Sequence, residues 1–185
     1  MTTQRIYPGL ACSNLEFFNH NNQVKAFNNG AMIDFHDLPY GYHQVLKDAL
    51  VAEPEANDIL KEWHPDSEMK RHENFVKCRF GGLDFTPDIK DMELQEGEYW
   101  DCPLRGSCKG EGKVCKSISY KGNPLTNMDI KLLKLLHTSL TNDNLAEEMN
   151  MPLGSFHVFK RKLYQKLDIQ TKPEAVIAAV LLNLI

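Results

Sequence analysis

Long apolar runs are missing from this chain of 185 residues. The longest mostly apolar stretch, Ala175–Ile185, is about half of the roughly 20 residues that span a bilayer, so no membrane-spanning helix is expected. The opening MTTQRIYPGL lacks a charged segment followed by an apolar one, and a cytoplasmic protein is expected. Internal repeats and low-complexity tracts are absent. So are the spacings that mark several enzyme classes: His72-Glu73-Asn74 does not begin an H-E-x-x-H, and no glycine-rich phosphate loop follows an expected strand. No βα alternation ends in an isolated acceptor Asp, which argues against a phosphorylated receiver domain. Asp34, His36, His43, His64 and His72 fall in no such motif, His36 and His43 read as surface or satisfied core residues, and no enzyme is expected.

What remains is the balance of a globular protein, 42% hydrophobic and 25% charged, with a net charge of -4. That charge is unevenly spread. Residues 120–185 hold eight Lys+Arg against six Asp+Glu, whereas the preceding part carries the acidic excess. Overall acidity therefore does not exclude a polyanionic partner for the C-terminal part.

Cysteine is sparse and clustered. Cys12 stands alone, while Cys78, Cys102, Cys108 and Cys115 fall within 38 residues. Without a secretion signal, four clustered thiols point to metal ligation before disulfides. The close C-x2–4-C pairs of most zinc sites are lacking; the spacing is Cys102-x5-Cys108-x6-Cys115. Gly106, Gly110 and Gly112 would let the chain wrap an ion, and His64 and His72 are possible substitute ligands. Zinc, in a structural role, is the first expectation. An iron–sulfur cluster, which would make the region a redox or oxygen sensor, is the second. Redox-responsive thiols and small buried side chains are the other readings.

Along the chain, residues 1–36 are rich in Asn and aromatics and read as mixed strand and loop, with a turn at Asn29-Gly30 and a strand at 31–35. Residues 41–63 read as two amphipathic helical pieces interrupted by Pro54, and 65–77 as a charged, solvated helix or loop. Residues 78–116 hold six of the eleven glycines and little apolar periodicity, so something outside the segment must hold it. The expected organisation is an N-terminal region at 1–116, a linker at 117–124 and a helical domain at 125–185.

In that last part, Ile130, Leu133 and Leu136 mark a helix of about ten residues with Thr126 as its N-cap. Leu145, Ala146 and Met149 share a face of the next helix. After the turn Asn150–Gly154, a third helix carries Phe156, Phe159, Leu163 and Leu167 as an apolar seam and His157, Lys160, Arg161, Lys162 and Lys166 on its other face. A tight turn between two helices, the second basic on one side, is the layout of a helix-turn-helix whose second helix enters the DNA major groove; a helical bundle with a solvated basic face has the same pattern.

The residues themselves resemble the LuxR/GerE-type (NarL-like) helix-turn-helix family. Leu125-Thr126 matches its opening, Thr141-Asn142 with Leu145-Ala146 the start of its second helix, Lys166-Leu167 with Ile169 its K-L-G-V, and Glu174-Ala175-Val176 its last helix. The resemblance spans about 60 residues, one third of the chain. Met128-Asp129 replaces the family's R-E, Pro152 its serine, His157-Val158-Phe159 its K-x-H, and Asp168 its glycine. It implies a four-helix DNA-binding domain for that third; the residues before it read as a mixed α+β, cysteine-containing region, and the whole as a mainly α protein. It further implies base contacts by His157, Val158 and Arg161 with Leu153 and Gly154 at the helix tip, and phosphate contacts by Lys160, Lys162, Lys166, Thr141 and Asn142. The helix at 173–185, apolar nearly all round, would meet either its copy in a homodimer, as in the resembled family, or the N-terminal region, with the homodimer the first expectation. A protein-interaction module, and an iron–sulfur redox protein with an accessory helical domain, are the competing readings.

Overall fold

The computed structural model describes residues 6–185. The chain divides into two compact units, 1–116 and 117–185.

Three strands open the first unit: β1 (Leu15–His20), β2 (Gln23–Asn28) and β3 (Ala31–Asp34). They form an antiparallel meander in which Phe17 pairs with Ala26 and Ala26 with Ile33. The turns account for the Asn-rich composition. Asn21 and Asn22, then Asn29 and Gly30, take positive φ, as two-residue turns that follow the strand twist require. Two short strands, β4 (Ile89–Lys90) and β5 (Glu93–Leu94), add to the β1 edge, giving the order β3-β2-β1-β4-β5. β1 is thus central, and Leu15, Glu16, Phe17 and Phe18 are all buried.

A 3-10 turn at Phe35–Asp37 leads into α1 (Tyr40–Ala52) and α2 (Pro54–Trp63). Pro54 opens α2, where its missing N–H has no intrahelical partner to lose; the expected two-piece helix forms. Segment 65–77 departs from expectation. It is the body of α3 (Glu68–Arg79), which buries His72, Phe75, Val76 and Arg79 at one-face helical spacing. Two of those four are polar, so apolar periodicity did not reveal the face. Leu15, Phe17, Val24 and Ala26 of the sheet join Phe35, Leu46, Leu60, Phe75 and Phe80 in one core. Residues beyond α3 are mostly irregular yet contribute Ile89, Tyr99 and Val114 to the interior.

In the second unit, the segment expected as a linker forms a hairpin, β6 (Ser119–Tyr120) and β7 (Asn123–Pro124), turning through Lys121 and Gly122 at positive φ. Linkers and hairpin turns share that composition; the bond from Leu125 N–H to the Ile118 carbonyl (2.7 Å) closes the hairpin's base.

Four helices follow: α4 (Asn127–Leu136), α5 (Asn142–Glu148), α6 (Leu153–Leu167) and α7 (Lys172–Leu181). Thr126 caps α4 as expected, in a capping box with Asp129; Thr171 and Glu174 repeat the device on α7. Helix α4 packs on α5 and α7, and α5 on α6. Ile130, Leu133, Leu136, Leu145, Met149, Phe156, Leu163, Leu167, Ala175 and Ala178 are buried between them. Phe159 is half-buried, at the margin of the seam.

Helices α5, α6 and α7 end alike, with Asn150, Asp168 and Asn183 in the left-handed region. In each, two following N–H groups reach back to orphan carbonyls, as in Met151 to Ala146 (2.9 Å) and Ile169 to Tyr164 (3.0 Å). Asp168, standing where the resembled family has glycine, thus takes the left-handed conformation that glycine adopts most easily. The described structure is mixed α/β with an antiparallel sheet, and no helix in it is long and apolar enough to cross a membrane.

Candidate nucleic-acid interface and thiol cavity

The turn between α5 and α6 is short because Asn150 takes positive φ and Pro152 starts the next helix. The resulting helix-turn-helix fixes what α6 shows to solvent. Phe156, Leu163 and Leu167 point inward and are fully covered, whereas His157, Val158, Arg161 and Lys162 are exposed. Leu153 and Gly154 are exposed at the helix tip, and a Cβ at Gly154 would meet nothing within 4 Å. His157, Lys160, Arg161, Tyr164 and Gln165 line one shallow groove along the helix, continued by Ile169 and Gln170.

The lysines differ from one another. Lys162 is exposed. Lys160 is half-buried, with Nζ 3.0 Å from Asn142 Oδ1 and 5.5 Å from the Tyr164 ring centre. Burial, then the nearby Lys172 charge, lowers its pKa. This contact ties α6 to the start of α5, where the Thr141 hydroxyl accepts from Asn144 N–H and caps the helix. Lys166 is committed inward: its Nζ lies 2.8 Å from Asp129 Oδ2, and the Asp129 side chain is only 7% exposed. Burial raises the Asp129 pKa, but Lys166 and the Thr126 N–H outweigh it and hold the carboxyl below its usual range. Lys166 thus joins α6 to the cap of α4, a role that helical periodicity does not distinguish from a phosphate contact.

The four clustered cysteines come together in the first unit. Cys78 sits on α3, and the irregular stretch brings Cys102, Cys108 and Cys115 to the same cavity, with Trp63, Arg105, Gly110, Glu111 and Val114 completing its wall. Burial, reinforced by Cys115, Cys102 and Cys108, pushes the Cys78 thiol up to about 12. Cys12 is exposed and apart from the cavity wall.

Arg79, next to Cys78, holds the opposite wall. Its side chain is fully buried, and it donates to the carbonyls of Val114 (Nε, 2.9 Å) and Lys113 (Nη2, 2.9 Å) and to Glu53 Oε1 (Nη1, 2.7 Å). Gly110 is required by Trp63: a Cβ there would lie 2.6 Å from the indole. Its N–H donates to Cys108 Sγ at 3.3 Å.

The expected substitute ligands lie elsewhere. His64 Nε2 is 2.6 Å from Asn74 Nδ2, and His72 packs against His43 with ring centres 6.4 Å apart. Neither belongs to the thiol cavity wall. No sequence pattern marks Trp63, Arg79 or Arg105 as partners of the thiols. Nor does one reveal a carboxyl group on the far face of the sheet, where oxygens of Glu16, Asp84 and Glu98 lie within 4.8 Å of one another. Burial first, then neighbouring carboxyls, raises Glu98 to about 8; burial, partly offset by the Asp84 N–H, raises Glu16 to about 9.

Part of the chain is similar to transcription regulators. Over 57 residues, the chain is 32% identical to the HTH-type transcriptional regulator MalT of Vibrio campbellii, and equally to that of Vibrio parahaemolyticus. The stretch is 31% of this chain and 6% of each relative, so the chain matches a small part of those proteins and the relationship is distant. No protein-family profile and no solved structure matches the chain.

Proposed function

We propose that the protein is a sequence-specific double-stranded DNA-binding transcription regulator of the LuxR/GerE type, with α6 in the major groove. The observation that carries this is the division of α6 into a covered Phe156–Leu163–Leu167 side and an exposed side bearing His157, Val158, Arg161 and Lys162. Arg161 reads guanine, because its planar guanidinium reaches O6 and N7 together. His157 and Val158 face neighbouring base edges, with Leu153 and Gly154 at the entering tip. Lys162, and Lys160 with Thr141 and Asn142 at the start of α5, meet phosphates. Lys166 is left out of this interface, since its ammonium is already paired with Asp129. No catalytic step is assigned to the protein.

Two further parts complete the reading. Ile177, Val180, Leu181 and Ile185 are exposed at and just beyond α7, and they pair with the same residues of a second copy in a homodimer. The four converging thiols make the first unit a metal-binding module, with zinc and an iron–sulfur cluster as the candidate occupants.

Selection from a random duplex pool, followed by titration at several salt concentrations, tests the DNA reading. The wild-type chain enriches one motif, and its affinity falls steeply with salt. Arg161→Ala costs about 1–3 kcal/mol on that motif and relaxes preference at one base pair. Failure to bind any duplex at low salt replaces this reading with a protein-interaction module.

A further inference from the structure

The chemistry of the thiol cavity is narrower than its cysteine count alone indicates. We propose that Cys78, Cys102, Cys108 and Cys115 hold an iron–sulfur cluster rather than a single zinc ion, an assignment that rests on reading the four thiols as metal ligands.

Spacing separates the two occupants. A tetrahedral zinc with bonds of about 2.3 Å brings its sulfurs to about 3.8 Å from one another. Among the described residues, the one group of three ligand atoms lying mutually within 4.8 Å is Glu16, Asp84 and Glu98. The four cysteines surround a common cavity, yet no three of their sulfurs approach that closely. A cluster, whose irons separate the ligand sulfurs, requires no such close approach; a single tetrahedral ion does.

The wall of the cavity points the same way. Cluster ligation depends on shielding from water and on donors directed at sulfur. Trp63 and Val114 supply apolar cover, and the Gly110 N–H already donates to Cys108 Sγ at 3.3 Å. Arg105 supplies an independent sign. Its guanidinium lies over the Tyr99 ring, 4.6 Å from the ring centre, and one nitrogen reaches the Trp100 carbonyl at 3.4 Å. Its Nε, buried in the same wall, has no hydrogen-bond partner. A buried donor left open is costly, and a sulfur of an anionic cluster would satisfy both its N–H and its charge. Because the ligands bind as thiolates, each thiol releases its proton to solvent as its sulfur bonds iron.

Placement supports this assignment further. Cys78 is fixed by α3, and Arg79 fastens the Lys113 and Val114 carbonyls immediately before Cys115. Two ligands from distant parts of the chain are thereby held across the cavity by the fold itself.

The test uses the full chain, purified without oxygen and then supplied in parallel with zinc alone or with iron and inorganic sulfide under a thiol reductant. Metal and sulfide content, visible absorbance and tryptophan fluorescence are measured. The expected result is a brown protein holding iron and sulfide in near-equal amounts, more than one of each per chain, with quenched fluorescence from the adjacent Trp63. Cys108→Ser loses most of the iron and colour, whereas Cys12→Ser keeps both. One zinc per chain, with no iron or sulfide retained, overturns the cluster but leaves the thiols as ligands. No metal retained under either loading overturns the ligand reading as well. Equal iron loss in Cys12→Ser and Cys108→Ser overturns the assignment of the site. The wild-type measurement decides the matter even if Cys108→Ser does not fold.

Discussion

The Nε of Arg79 donates to the carbonyl oxygen of Val114 at 2.9 Å, joining α3 to a strandless segment 35 residues further along the chain. An arginine whose side chain is 2% exposed is tolerated there because every face of its guanidinium is used: two carbonyls, the Glu53 carboxylate, and the Phe75 ring 4.5 Å below. The pair explains how a glycine-rich stretch keeps a fixed path.

Arg79→Met is expected to remove this clamp. It strands the buried Val114 carbonyl and the part-buried Lys113 carbonyl and leaves Glu53 with Lys116 as its partner, so the first unit should lose about 1–3 kcal/mol. Both tryptophans, Trp63 and Trp100, lie in the first unit, so urea unfolding followed by their fluorescence reads that unit alone. A midpoint unchanged from wild type would show that the segment is held by something else.

Lys166 and Lys162 should separate cleanly. Lys166→Met leaves the Asp129 carboxylate covered and unpaired and weakens the α4 cap, at a cost of about 1–2 kcal/mol. The dependence of DNA affinity on salt should stay as in wild type. Lys162→Ala should leave stability nearly unchanged and reduce the salt slope by about 1. Because the Asp129 pKa is depressed in the fold, the contribution of the pair is present above the unfolded carboxyl value and is lost as pH falls through the folded one. The cost of Lys166→Met should therefore shrink in acid, as thermal unfolding at pH 7 and pH 3 would reveal.

The carboxyls behind the sheet predict the opposite trend. Glu16 is fully buried with its pKa raised to about 9, and Glu98 is raised to about 8. The folded state keeps protons that the unfolded chain gives up near pH 4.5, so the stabilising proton uptake fades as pH rises from there toward 9. Glu16→Gln, which removes the titration and keeps an oxygen to accept from the Asp84 N–H, should raise the unfolding midpoint more at pH 8.5 than at pH 5. An equal shift at both values would show that Glu16 is not the group responsible.

Much of the second unit was legible from spacing. The Thr126 cap, the buried Leu145, Ala146 and Met149, and the outward Arg161 follow from a period of 3.6 and from capping chemistry, both local in sequence. Lys166 was not legible, because its partner Asp129 is 37 residues away. The first unit was harder for the same reason. Its Asn-rich turns are local signals, and Asn29-Gly30 was readable as one. The inward face of α3 carries His72 and Arg79, whose burial depends on partners brought from elsewhere.

The sequence by itself determined where helices begin and end in the last third of the chain, which side of α6 is apolar, and that four thiols fall within one short span. Those features depend on neighbours a few residues apart. Only the tertiary structure decided that the thiols line one cavity, that Arg79 holds one of its walls, and that Lys166 turns inward. Each of these depends on contacts between residues tens of positions apart, and such contacts exist only after the chain has closed its long loops and buried the groups that pair across them.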